Sequence, residues 1–316
     1  MRRLLAWASL FSTLMVWVAA AALMADPPPA TAQGTPVPVG HPIGASSLPS
    51  FPFDDPFYVL TIGSDARPGV CEPVERCLAD SIHLIGVNPK ERAASIIGIP
   101  RDSYVSIPGH GQAKINDSLF LGGPELVVQT VEELADVDIE MYFLTSFEGF
   151  RHMVEEIGGI EVEIPYAMSD TASGAVFEEG NRRLTGREAL AFSRNRKDTP
   201  NGDFSRTENQ GLIMLGALRQ FQAEVRRDPL RMLEWLVLGA RYIQTDVTLS
   251  DLFQLALASL RLDQETITNV AMPGGISNVG GASVVTVGGE ATAVFQDIAD
   301  DGLIEAPPTE ESTEDE

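Results

Sequence analysis

Three apolar runs between residues 58 and 99 constrain the fold most: Tyr58–Ile62, Ile82–Val87 and Ser95–Ile99. Each is too short for a helix and is bounded by turn formers or prolines, so buried strands fit them best. Helical patterns then alternate with further short runs. A helix is expected from Pro124, suited to the first helical position, to about Leu134. Met141–Leu144 reads as a strand, Phe147–Ile157 as a helix stopped by Gly158-Gly159, and Val162–Ile164 as a strand. Thr185-Gly186-Arg187-Glu188 has capping-box spacing for a short helix to about Ser193, and Asp203 is placed to cap a longer one through Arg219. Helices are also expected from Asp228-Pro229, from Thr248 or Ser250, and over Glu290–Ile298, with strands near Ile267–Val270 and Ser283–Val287. Alternation of this kind predicts an α/β domain, a layered sheet with helices on both faces.

The N-terminus sets the compartment. Arg2 and Arg3 precede an uncharged stretch from Leu4 to Ala25. About 20 apolar residues cross the hydrocarbon core as a helix, and the arginines favour the cytoplasmic side. Residues 1–25 therefore read as a single-pass signal anchor in the cell membrane, with the rest of the chain extracytoplasmic. A cleaved signal peptide is the competing reading, because Ala30-Thr31-Ala32 resembles a small-residue cleavage site. Both readings export the domain. Residues 26–53, rich in Pro, Gly, Ser and Thr, read as a flexible stalk, 54–305 as one folded domain, and 306–316 as an acidic disordered tail. The two cysteines, Cys71 and Cys77, share one loop. Outside the cytoplasm they are permitted to pair, and a bridge closing so short a loop is worth about 2 kcal/mol in the chain-entropy model. Two independent thiols are the alternative. With two cysteines and four scattered histidines, a Cys/His zinc site is disfavoured.

Acids outnumber bases by 45 to 22, a formal charge of −23. Such a balance argues against a nucleic-acid partner, and any anionic ligand must be held by a local basic cluster. From Arg182 to Arg206 there are seven Lys/Arg against three Asp/Glu, a positive island in a negative chain. Four polar clusters interrupt or follow the apolar runs: Gly63-Ser64-Asp65-Ala66-Arg67; Ala79-Asp80-Ser81; Pro100-Arg101-Asp102 with Lys114-Ile115-Asn116; and Arg194, Arg196, Asp203, Arg206 and Gln210. Strand ends at one edge of an α/β sheet commonly bind ligands. Guanidinium groups match phosphate oxygens with paired donors. Arg206 and Gln210, four residues apart, share one helix face. Mg²⁺ takes one or two carboxylates and completes its shell with phosphate oxygens and water, so Asp65 and Asp80 beside several arginines suggest a metal–pyrophosphate clamp. Singly, each cluster also has a bland reading as a turn cap, a surface ion pair or a solvated face.

The ordered set carries a specific resemblance. Tyr58 through Arg67 (YVLTIGSDAR), Ala79-Asp80-Ser81-Ile82, Ile99 through Val105 (IPRDSYV), Lys114-Ile115-Asn116 and Gly122-Gly123 resemble successive signatures of LytR-CpsA-Psr domains. So do Glu156 through Ile160 (EIGGI), Leu184-Thr185-Gly186, Ala189 through Arg196 (ALAFSRNR) and Gly202 through Arg206 (GDFSR). They span about residues 57 to 220, and their wording, including Asn209-Gln210-Gly211, is similar to that of actinobacterial members. The resemblance implies a three-layer α/β/α domain with a central mixed sheet and a long apolar pocket for a polyprenyl chain. It implies a phosphotransferase that moves a phospho-glycan from a polyprenyl-pyrophosphate carrier to a peptidoglycan hydroxyl, with Mg²⁺ (Mn²⁺ as substitute). By the same resemblance Asp65 and Asp80 associate with the metal, Asp65, Asp80 and Arg101 are catalytic, and Arg67, Arg101, Lys114, Arg194, Arg196, Arg206 and Gln210 attend the pyrophosphate. One departure stands out: the family usually has an arginine two residues before the second aspartate, where this chain has Leu78, with Arg76 two residues further back.

Two rivals share the site. A Mg²⁺-dependent phosphohydrolase would use water as the acceptor, and a non-catalytic binding protein would hold polyprenyl phosphate or glycan without turnover. A transcriptional role is disfavoured by export and by the acidic charge. Leu126, Val127, Leu212, Leu215, Trp235 and Leu238 are candidates to line a lipid pocket, although core packing explains any one of them equally well.

Overall fold

The computed structural model describes residues 55–171 and 173–305. The expected anchor, stalk and acidic tail lie outside the described residues. Among the described residues no helix is long and apolar enough to cross a membrane.

The expected early strands extend beyond their apolar runs into β1 (Phe57–Ser64), β2 (Ala79–Asn88) and β3 (Ala93–Gly98), paired antiparallel in that order. After them come β4 (Ser103–Ile107), β5 (Gly111–Lys114), α1 (Asp117–Gly122) and α2 (Pro124–Ala135), then β6 (Met141–Ser146) and α3 (Phe147–Glu156). The chain continues through β7 (Ile160–Ile164), β8 (Met168–Asp170), β9 (Ala175–Phe177), β10 (Gly180–Leu184), α4 (Gly186–Arg194), α5 (Asp203–Arg227) and α6 (Arg231–Tyr242). It ends with β11 (Gln244–Thr245), α7 (Leu249–Ser259), β12 (Ile267–Ala271), β13 (Gly275–Val279), β14 (Ala282–Thr286) and α8 (Gly289–Asp301). The central sheet has six strands in the order β11-β6-β1-β2-β3-β12. It is mixed: β1–β6 and β3–β12 are parallel, and the other pairs antiparallel.

Side-chain alternation divides β1 between two faces. Tyr58, Leu60 and Ile62 pack with Leu126, Val127 and Val131 of α2 and with Phe295 and Ile298 of α8 in the largest core. Phe57 and Val59 face the other way, toward Leu218 of α5 and Leu255 of α7. A second core joins β7 to β10, α3, α4 and Ile213 of α5. Helix α5 therefore lies between the main sheet and this smaller unit. Two close approaches hold it there. A Cβ on Gly98 would sit 2.2 Å from Cγ2 of Thr207, and one on Gly216 would sit 2.4 Å from the carbonyl oxygen of Glu161.

His83 adds a polar pin between α5 and β2. Its Nε2 lies 3.1 Å from the Thr207 carbonyl and its Nδ1 3.2 Å from Oγ of Ser81. A carbonyl can only accept, so Nε2 carries the proton and Ser81 donates to Nδ1. Burial, aided by nearby Arg206, lowers the His83 pKa from 6.5 to about 4, against the opposing pull of the Thr207 carbonyl. Between those values the unfolded chain takes up a proton that the folded chain refuses. Stability is thus retained above pH 6.5 and falls toward pH 4, by about 1.4 kcal/mol per unit. Urea unfolding at pH 7 and pH 5 should show a larger loss for the native chain than for His83→Gln, whose amide can still donate to Thr207. Equal losses would remove His83 from the pH response.

No sequence pattern marks β4, β5, β8 to β11, β13 or α1. They are short, and β5 and β13 are polar or glycine-rich with little burial. Helix α5 runs eight residues past the expected Arg219, because Phe221 and Val225 bury against Met232 of α6 and Ala256 of α7. Asp203 does not cap it; Gly202 holds that position and Asp203 is the first helical residue. Cys71 and Cys77 are bonded, with Cα atoms 5.8 Å apart. Their loop pairs back on Arg67 through reciprocal backbone bonds between Arg67 and Cys71, each 3.1 Å.

Candidate active site

Strand direction brings the polar clusters to one edge. β1 and β6 end there, antiparallel β2 begins there, and β3 ends there opposite His83. The β1–β2 ladder slips at this edge: Gly63 faces Ser81 but Ser64 faces Ala79, so Asp80 is an extra, bulged residue. A bulge re-aims its side chain. Asp80 is thereby buried beside Arg101, whose Nη1 donates to its Oδ1, with Nη1 of Arg206 at 3.3 Å from the same oxygen.

Asp203 completes the group. Its Oδ1 lies 3.0 Å from Nε of Arg206 and 4.0 Å from Nε of Arg101, and Nη2 of Arg206 donates to its Oδ2 at 3.2 Å. Two carboxylates thus sandwich two guanidiniums, and Arg206 is only 2% exposed. Burial opposes the charge on Asp80, but Arg206 and Arg101 prevail and hold its carboxyl below the ordinary range. Burial likewise works against the charge on Arg101, and Asp80 and Asp203 reverse it, raising its pKa.

Arg67 and Arg194 differ in having no carboxylate partner among the described residues. Both guanidiniums lie over the Phe147 ring, at 5.8 Å and 4.7 Å from its centroid. The Arg194 pKa is lowered chiefly by desolvation; Asp80 is the strongest charge acting on it and opposes the shift, while Arg67, Arg101 and Arg206 add to it. Excess positive charge at this edge is what an anion would relieve.

Asp65 follows β1, and its Oδ1 accepts from the backbone N–H of Leu78 at 3.0 Å, while its own N–H donates to the Leu78 carbonyl at 3.0 Å. Leu78 therefore positions Asp65 through its backbone, and its side chain is exposed. Arg76 is exposed on the 3-10 turn Val74–Arg76. Lys114 reaches Asp102 at 2.7 Å, beside Arg101. Gln210 turns inward: it is buried, and its Nε2 donates to the Ser193 carbonyl at 2.9 Å, tying α5 to the end of α4. Arg196 is exposed beyond α4 and makes no side-chain hydrogen bond or ion pair among the described residues. The positive island also divides, for Arg182 pairs with Glu188 and Arg183 with Glu161, away from Asp80. Sequence reasoning missed the charge-pairing role of Asp203 and the placement of Phe147. Asp203 stands three residues before Arg206, a helical ion-pair spacing that offered a signal.

Among the described residues no set of three or more His, Cys, Asp and Glu side chains is placed to hold a metal ion. A hard cation at this edge needs oxygen from its substrate to complete a shell, which is how Mg²⁺ is usually held. Asp65 and Asp80 fit that use, since the hydrogen bonds made to each fall on Oδ1.

An apolar cavity of about 350 Å³ lies between the sheet and helices α5, α6 and α7. Thr61, Phe143, Leu215, Trp235 and Leu255 are among its lining residues. Of the lipid-pocket candidates, Leu215 and Trp235 line it, whereas Leu126 and Val127 belong to the core on the opposite face and Leu212 packs on the smaller unit. The cavity shares β1 and α5 with the charged edge: Thr61 precedes Asp65 by four residues, about 13 Å of strand, and Met214 follows Arg206 by eight, about 12 Å of helix.

The model of the LytR_cpsA_psr family matches residues 40–300. The polyisoprenyl-teichoic acid–peptidoglycan teichoic acid transferase TagU of Bacillus licheniformis is 38% identical over 167 residues, 52% of this chain and 52% of its own. The chain thus spans about half the length of the curated relatives it matches. Bacillus subtilis TagT superposes with a TM-score of 0.64 at 25% identity, over 82% of this chain and 96% of that one. A structure of TagT bound to LI-WTA gives 0.66 at 25% identity, over 82% and 95%. With motifs, mixed sheet and charged edge in agreement, the chain belongs to the LytR_cpsA_psr family.

Proposed function

We propose that this protein is a membrane-anchored, extracytoplasmic phosphotransferase that moves a phospho-glycan from a polyprenyl-pyrophosphate carrier to a peptidoglycan hydroxyl. The supporting observation is that β1 and α5, which carry the arginine-rich edge, also wall an apolar cavity, the two chemistries of a lipid-linked pyrophosphate. The name of the TagU relatives, a transfer from polyisoprenyl carrier to peptidoglycan, agrees with that reading. The anchor rests on Leu4–Ala25.

In this reading the lipid occupies the cavity, and the pyrophosphate lies at the edge against Arg67 and Arg194, with Arg101 beneath. Asp65 and Asp80 would hold Mg²⁺, or Mn²⁺ by the same oxygen chemistry, which neutralises phosphate charge when bound. The acceptor hydroxyl attacks the glycan-side phosphorus: a new P–O bond forms, the bridging P–O bond breaks, and polyprenyl phosphate leaves. Asp80, already bound by two guanidiniums and held well ionised, is a poor base. Asp65 is left to take the hydroxyl proton through its second oxygen, in which case Asp80 alone of the two would hold the cation. Positioning and preset positive charge supply most of the acceleration.

Asp65→Ala and Arg101→Ala in the full chain should each lower transfer by at least about a hundredfold with circular dichroism unchanged. The assay uses lipid-linked glycan, Mg²⁺ and peptidoglycan, with product analysis. Native-like attachment in either variant removes that residue from the mechanism. Free sugar phosphate in place of attached glycan makes the protein a hydrolase, and retained lipid without turnover makes it a binding protein.

A further inference from the structure

Phe147 is buried yet belongs to none of the four apolar clusters. It is the first residue of α3, directly after Ser146, which pairs with Ser64 at the end of β1. Its neighbours in register therefore lead straight into Asp65 and Arg67. The Ser146 side chain accepts from the Gly149 N–H at 3.0 Å, fixing the helix start and with it the ring. Arg67 follows β1, its backbone paired with Cys71 and its Nε donating to the Asp65 carbonyl at 3.3 Å, and Arg194 ends α4; both guanidiniums meet this one ring.

We propose that Phe147 is a positioning residue that orients Arg67 and Arg194 for a pyrophosphate without neutralising them. The inference rests on the proposed function and names how its headgroup site is built. An aromatic face attracts a cation through its quadrupole and carries no net charge. A carboxylate would hold the same arginines more firmly but would compete with the phosphates for them, as Asp80 and Asp203 do for Arg101 and Arg206. The edge thus has two kinds of arginine: a charge-balanced pair that shapes the floor, and a pair held by a ring whose charge stays available.

The test is calorimetric titration of inorganic pyrophosphate with Mg²⁺ into the full chain, beside transfer kinetics. Phe147→Leu keeps an apolar side chain but removes the π face. It should weaken pyrophosphate about tenfold, the sum of two partly exposed cation–π contacts, and raise KM with little change in kcat. Phe147→Trp should bind within about twofold of the native chain, and Phe147→Met serves if the leucine variant folds poorly. In an Arg67→Ala/Arg194→Ala background the Phe147→Leu effect should vanish. Native-like affinity in Phe147→Leu, or equal losses in the leucine and tryptophan variants, overturns the inference and leaves the transferase reading standing. A native chain that does not bind pyrophosphate removes both.

Discussion

Arg206→Ala is expected to unfold several degrees lower and to lose transfer altogether. Arg206 is 2% exposed and touches both Asp80 and Asp203, so its removal leaves two carboxylates short of a counter-charge in a poorly hydrated place. Breaking a buried pair from one side costs about 3–5 kcal/mol, which for a domain of this size lowers Tm by roughly 10 °C. The Asp80 pKa should rise with it. In the native chain that carboxyl is depressed, so its contribution is present above the ordinary value of 3.8 and disappears as pH falls through the folded value. The variant should lose that acid-limb stabilisation. Adding Asp80→Asn should recover part of the lost Tm while activity stays absent, separating the structural role of the pair from its chemistry. A lone Arg206→Ala with native Tm and native transfer would dissolve the central quartet of charges.

Leu215→Trp is expected to damage use of long polyprenyl substrates selectively. Leu215 lines the cavity and belongs to none of the four cores, so extra bulk there fills space without displacing established packing. Each buried methylene is worth about 0.8 kcal/mol; excluding roughly three of them would weaken binding roughly 50-fold. Affinity for inorganic pyrophosphate should stay native, because Arg206 lies about two and a half turns away along α5. An unchanged KM for the long-chain substrate would show that the cavity does not hold the lipid.

Much of this was legible before any coordinates. The runs around Leu60, Leu84 and Ile97 are too short for helices and fit buried strands best, and all three of these residues are fully buried. Thr185 and Glu188 form both bonds of the expected capping box. What escaped depended on register and on partners distant in sequence. Nothing local marks Asp80 as a bulged residue, since the slip exists only relative to Gly63 and Ser64. Asp203 looked like a helix cap because caps are judged from the next three residues, whereas Arg101 lies about a hundred residues earlier. Gln210 shared a predicted helix face with Arg206, yet a carbonyl at the end of the preceding helix claims its amide. Strands such as Gly275–Val279 are exposed along their length and have no hydrophobic pattern to reveal them.

Helix α5 has a mechanical consequence. One side closes the apolar cavity, another lies against the carbonyl of Glu161 where Gly216 permits it, and its first turn carries Asp203 and Arg206. The smaller β-unit and the main sheet therefore share a single wall, and neither can melt without exposing the other. Headgroup grip, lipid space and folding cooperativity are three readings of the same rigid rod.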